Sequence, residues 1–272
     1  MATNITRADR RLATARETAP GISLFTVIRS EWTKMWSLRS TYVTLLALVT
    51  LTVGLSVLMT AAMVSDGTAE KMDPTAISLS GLDTGQLVVV VMGVMVISTE
   101  YATSSIRTSL IAVPRRLTFL GAKALILGSV VLVTGILTSF AAFFAGQAIL
   151  ATQDLNVQLS DPGVLRAVVG GGLYLAGSAM FGLALAAVLR STASAIAVTI
   201  AGLVVLPQLT RMLPGRWGEI VRQYFTSNAG QQIARVVPTA DSLGPWTGYL
   251  VFTLWWLVIL GIAALLMQRR DA

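Results

Sequence analysis

Ala124–Gln153 reads ALILGSVVLVTGILTSFAAFFAGQAILATQ, thirty residues without one Lys, Arg, Asp or Glu. At 1.5 Å per residue a helix of about 20 residues crosses the roughly 30 Å hydrocarbon layer of a bilayer. The run is continuously apolar rather than alternating, which favours a helix over a barrel strand. Only helices and closed barrels satisfy their backbone groups away from water. Charge-free runs recur at Tyr42–Ser65, Ala167–Leu189, Ser191–Thr210 and Thr247–Gln268. A further stretch, Thr84–Ile106, carries a single charge before Arg107, Glu100, which falls near a membrane boundary. The expected fold is therefore an all-α membrane protein with six transmembrane helices, at about 42–64, 84–105, 124–149, 167–189, 192–212 and 247–267.

Composition agrees. Hydrophobic residues make up 54% and charged residues 12%, against about 25% charged in a soluble domain. The chain has no Cys and no His. Disulfides, thiol chemistry, the common zinc and haem ligands and Ser-His-Asp catalysis are thereby excluded. The span interiors hold almost no ionisable group, which argues against proton relays, metal sites and an intramembrane hydrolase. No Gly-x-x-x-x-Gly-Lys-Ser/Thr phosphate loop occurs. The expectation is a chain that is not an enzyme and holds no cofactor; if ATP is used, the ATPase is another chain.

Charge also sets an expected orientation. Six spans put both termini on one side. With that side as the cytoplasm, 14 of the 20 basic residues lie inside, with five of the 13 acidic ones. Cytoplasmic loops carry the Lys/Arg excess, so both termini are expected in the cytoplasm and the protein in the cell membrane. The formal charge of +7 then reflects topology and anionic lipid rather than nucleic acid.

Three segments are more than spans. Residues 1–21 are basic and polar without an apolar core, and are expected to be a disordered tail. Residues 22–41 follow as an interfacial elbow helix, ahead of the transmembrane domain at 42–272. Phe25, Ile28, Trp32, Met35 and Trp36 recur at helical spacing, with Ser30, Thr33, Lys34 and Ser37 away from them, as in a helix lying in the membrane interface. Between the second and third spans lies EYATSSIRTSLIAVPRRLTFLGAK (Glu100–Lys123). Its Ile106, Leu110 and Val113 can share a helical stripe that Pro114 should stop. Glu100, costly if unpaired at a membrane boundary, is expected to pair with Arg107, a basic elbow residue or a partner chain. Leu213–Trp246 forms the longest external segment. PGRWGEIVRQYF fits a short amphipathic helix, Ser227 or Asn228 could cap another, and Trp217, Tyr224 and Phe225 are expected to give an external lid its apolar contacts. Pro207 is expected to kink the fifth span. The small-residue rows Ser178/Gly182/Ala186 and Ala142/Gly146 permit close helix approach.

Taken in order, these segments resemble the six-span permease subunits of type-2 ABC exporters, of actinobacterial type, from about Ser30 to the C-terminus. RSEWTKMWSLRSTY (Arg29–Tyr42) looks like the elbow. Glu100, a hydroxyl-rich turn, Pro114-Arg115-Arg116 and Lys123 are similar to the family's loop between spans two and three. YFTSNAGQQI (Tyr224–Ile233) resembles its external segment, with Phe225-Thr226 where many members carry Leu-Pro. The resemblance implies a permease dimer, formed with a second copy or a homologue, that moves a hydrophobic or amphipathic substrate outward. A separate cytoplasmic ATPase carrying ATP and Mg would drive it. It implies ATPase contacts at Glu31, Lys34 and Arg39 of the elbow and at Glu100, Ser104, Ser105, Arg107, Arg115 and Arg116 of the loop. A non-transporting membrane assembly or regulatory protein and a secondary transporter are the alternative readings.

Overall fold

The computed structural model describes residues 24–103, 116–238 and 242–269. Among them there are helices and no strands. Six helices are long and apolar enough to cross a membrane: Arg39–Ser65, Leu82–Ala102, Arg116–Gln153 with its short 3-10 end, Val164–Leu189, Thr192–Thr210 and Pro245–Arg269. This is a multi-pass helical membrane protein. The third helix is the longest. Its α-helical part, Arg116–Leu150, has 35 residues, about 52 Å at helical rise, so it projects beyond a roughly 30 Å hydrocarbon layer. Its first two turns stand outside the charge-free run and carry Lys123 to the boundary.

The fourth span is the axis of the bundle. Of its most apolar stretch 78% is buried, against 17% for the sixth span and 22% for the first and fifth. Its composition explains this. Gly170, Gly171, Gly172, Gly177 and Gly182 line it, and lipid tails are as apolar as leucine, so close packing of small residues rather than hydrophobicity joins helices here. A Cβ on Gly182 would press on the carbonyl of Val90 in the second span, and one on Gly93 in the second span would overlap the carbonyl of Ala179. The two helices therefore interlock through reciprocal glycines. Ser178 and Ala186, on the same row as Gly182, are fully buried within one chain, and Gly146 of the third span is covered by Ser78.

The first span buries a polar row rather than an apolar one: Thr52, Ser56 and Thr60, below Leu48. The Ser56 hydroxyl accepts from the Gly81 N–H at 3.0 Å, and Thr60 donates to its own helix at Ser56 O. Several leucines and valines of this helix, among them Val43, Leu46 and Leu58, face outward. That inversion is the expected arrangement when the solvent is hydrocarbon.

The fifth span is broken. Thr192–Ile200 is α-helical, Ala201–Val205 is π-helical, and Leu206–Thr210 resumes the α-helix. Pro207 explains the break, because it has no N–H to give the Leu203 carbonyl and its ring crowds that same group. Leu203 O instead accepts from the Ser227 hydroxyl at 2.6 Å, and Gly202 O from the Thr226 hydroxyl at 2.8 Å. Both donors come from the segment between the fifth and sixth spans. Ser227 thus lies inside the short helix Thr226–Gly230 and does not cap it; Phe225 is the N-cap, with no side-chain hydrogen bond.

Candidate functional site

The elbow helix runs from Leu24 to Ser37 and packs against the start of the third span through Val27, Glu31 and Met35. This buried stripe lies beside the Phe25/Ile28/Trp32/Met35/Trp36 face and shares only Met35 with it. Phe25 and Trp32 are exposed, and Trp32, Trp36 and Tyr42 form an aromatic run with ring centroids 5.6 and 5.4 Å apart. The burial of Glu31 has an electrostatic partner, a lysine of the third span. Lys123 is 3% exposed, and its ammonium donates to Glu31 Oε2 at 2.7 Å, Glu100 Oε1 at 2.7 Å and the Val96 carbonyl at 3.3 Å. All three of its protons are used. Lys34, nearly half exposed, donates to Glu31 Oε1 at 2.7 Å and Glu100 Oε1 at 3.3 Å. Phe119 backs the group, with its ring centre 4.9 Å from the Lys123 nitrogen.

Two carboxylates and two ammoniums thus close a neutral cluster in which the elbow contributes Glu31 and Lys34, the second span Glu100 and the third span Lys123. Burial lowers the affinity of the Lys34 amine for its proton, but the bonds and charges of Glu31 and Glu100 outweigh it and hold the group above the ordinary lysine range. Beside the cluster lies a cavity of about 510 Å³, walled by Met35, Leu38, Val96 and Ile126 and reached by Lys34 and Glu100.

The sequence anticipated a basic elbow residue as a partner for Glu100, and Lys34 is one. It does not point to Lys123 as the central cation, nor to Glu31 as a buried group. The one available signal was position: Lys123 directly precedes the longest charge-free run, and Glu100 directly follows another. Of the other contact residues, Arg39 is exposed at the start of the first span. Arg116 donates to the Met267 carbonyl at 2.6 Å, joining the third span to the sixth. Ser104, Ser105, Arg107 and Arg115 lie outside the described residues, as do the Ile106/Leu110/Val113 stripe and residues 1–21 of the tail.

At the opposite end of the bundle, Gly215–Tyr224 is the anticipated amphipathic helix. Trp217 is 81% exposed and Tyr224 is also exposed. Phe225 packs on Trp255 of the sixth span, ring centres 6.0 Å apart, and the Trp255 indole donates to the Tyr224 carbonyl at 3.0 Å. The following residues are sunk into the bundle. Ala229 and Ile233 are fully buried, Gly170 and Gly248 make room for the backbone at Ile233 and Ala229, and Gln231 donates to Asp83 Oδ1 at 2.9 Å. Of the three residues assigned to a lid, Phe225 is packed, while Tyr224 joins through its backbone.

Among the described residues no group of His, Cys, Asp or Glu could hold a metal ion. Comparison with known protein families and with curated proteins finds no match.

Proposed function

We propose that this chain is the permease subunit of an ATP-driven exporter, with both termini in the cytoplasm and hydrolysis on a separate ATPase chain. The observation that carries the reading is the buried ion cluster. A helix lying outside the spans is tied by two side chains to the ends of two different spans. A push on the elbow, or on the basic loop that starts beside Glu100, is therefore transmitted to the second and third spans together. A membrane domain driven by a cytoplasmic motor needs such a link, because a span moves only if something packed against it has two positions. Glu31 and Glu100 act in this reading as internal connectors. Contact with the ATPase falls to exposed Lys34 and Arg39 and to the loop residues Ser104, Ser105, Arg107 and Arg115. Substrate passes between two permease copies, or between this chain and a homologue, and is hydrophobic or amphipathic, because the spans present few charges.

The test is Arg107→Glu in the full chain, expressed with the ATPase that copurifies with it. Arg116 is a poorer choice, since its guanidinium is used on the sixth span. Export should be lost and ATP hydrolysis no longer stimulated by the permease, with membrane insertion intact; Lys71→Glu, at the other end of the first span, is the control. A variant that assembles and exports as the native chain does would sink the coupling role of the loop, and absence of any copurifying ATPase would favour the non-transporting assembly role.

A further inference from the structure

The amphipathic helix Gly215–Tyr224 does not spend its apolar side on the bundle. At about 3.6 residues per turn, Trp217, Ile220 and Tyr224 share one side, and Arg216, Glu219 and Gln223 share another, turned away by roughly 100°. Gly218 points in a third direction and is buried; a Cβ there would press on the Leu213 carbonyl. The three apolar residues are all exposed, Trp217 most of all. Large apolar side chains left open together mark a contact surface.

The two ends of the helix fix its level in the bundle. It starts just beyond Thr210, where the fifth span ends, and Gly215 turns the chain there with a φ of 70°. Its other end lies deeper. The Tyr224 carbonyl accepts from the Trp255 indole, and Trp255 lies about 15 Å at helical rise from Pro245, the first residue of the sixth span. Thr226 and Ser227, next in sequence, donate to the Gly202 and Leu203 carbonyls within the fifth span. The helix therefore slopes from the span ends into the spanning layer. The spans it joins present Leu206 and Leu209, and Leu250 and Leu254, outward at this same end. A side chain left open at that level meets lipid, and Trp and Tyr, apolar rings with a polar tip, suit the boundary between headgroups and acyl chains.

We propose that Gly215–Tyr224 is an interfacial helix held by phospholipid, with Trp217, Ile220 and Tyr224 in the boundary layer of the leaflet at this end and Arg216 and Glu219 on its headgroup side. The apolar face continues the lipid-facing surface of the fifth and sixth spans, and the Arg216 guanidinium lies where lipid phosphate is found. Trp217 is thus a membrane contact rather than a lid contact. Held in this way, the helix sets the level of Thr226 and Ser227, whose hydroxyls serve the broken turn of the fifth span. This arrangement requires only that the chain spans a membrane, and stands apart from the exporter reading.

The chain has no cysteine, so a single introduced thiol can carry a nitroxide spin label. Trp217→Cys and Ile220→Cys report the apolar side, and Arg216→Cys and Glu219→Cys the polar side; all four positions are exposed. Each full-length variant is placed in vesicles of phosphatidylethanolamine and phosphatidylglycerol. Electron paramagnetic resonance then compares collisions of the label with oxygen, which concentrates in hydrocarbon, and with a water-soluble nickel chelate. The oxygen-to-nickel collision ratio should be severalfold higher at 217 and 220 than at 216 and 219. Nickel collisions dominating at 217 and 220 would place this face in water and overturn the proposal. Few collisions with either agent at those two positions would mean that a second copy or another protein covers the face, which overturns it equally. So does one and the same ratio at all four positions.

Discussion

Replacing Lys123 with Met removes one charge and keeps the length of the side chain. The native ammonium is nearly inaccessible and saturated by two carboxylates and a carbonyl. In the variant Glu31, almost as buried, keeps only Lys34, and Glu100 keeps only the longer Lys34 contact. Breaking a buried ion pair from one side costs about 3–5 kcal/mol, because it strands a desolvated charge. Lys34→Met is the internal comparator. Its side chain is nearly half exposed, solvent screens what is lost, and the expected cost is about 1 kcal/mol or less. The carboxylates make the argument sharper. Adding Glu31→Gln to Lys123→Met removes one of the stranded charges, so the double variant should be more stable than Lys123→Met alone. Thermal unfolding of the purified protein, followed by tryptophan fluorescence in one detergent, orders the four proteins: native, Lys34→Met, the double variant, Lys123→Met. A loss of about 4 kcal/mol corresponds to a midpoint lowered by roughly 10 °C in a chain of this size. If Lys123→Met unfolds within a degree or two of the native chain, or no earlier than Lys34→Met, or is not rescued by Glu31→Gln, the cluster is not the joint described above.

Two further outcomes follow from the packing. Ser227→Ala leaves the Leu203 carbonyl without its donor and should destabilise by about 1–3 kcal/mol. In a Pro207→Ala background, where residue 207 regains an N–H for that carbonyl, the same change should cost measurably less; a cost that is independent of residue 207 would separate the π-helical turn from its proposed cause. Gly93→Val drives a side chain into the Ala179 backbone, which cannot yield as a flexible side chain would, and should lower stability by about 1–3 kcal/mol or more. Gly54→Ala in the first span, with nothing within 4 Å of its new methyl group, should be neutral or slightly stabilising, and stability measured on both separates steric interlock from the general cost of replacing a helical glycine.

What the sequence disclosed and what it withheld divide along physical lines. The spans were legible because insertion imposes a local rule: each must be a charge-free run of sufficient length, and charge is counted without knowing any partner. Their ends were less so. The third helix is already formed at Arg116, well before 124, because helical hydrogen bonding continues into water after the apolar run has stopped. The inward faces were illegible for a related reason. In hydrocarbon apolar side chains can point outward as well as inward, so apolar periodicity does not mark the buried stripe as it does in water. In the elbow, Phe25 and Trp32 stay exposed on the face read as interfacial, while Glu31 turns in. That turn depends on Lys123, 92 residues away in sequence, and no pattern within the helix could announce it. A lone charge at each end of an apolar run is, however, a signal of its own. A charge carried to a membrane boundary by a helix that could have ended a residue sooner is stabilised only by a partner, and Glu100 and Lys123, which end one run and begin another, meet at the same end of the bundle. Reading boundary charges as pairs, rather than as topology markers, would have brought one end of the second span to one end of the third and assigned Lys123 to the site.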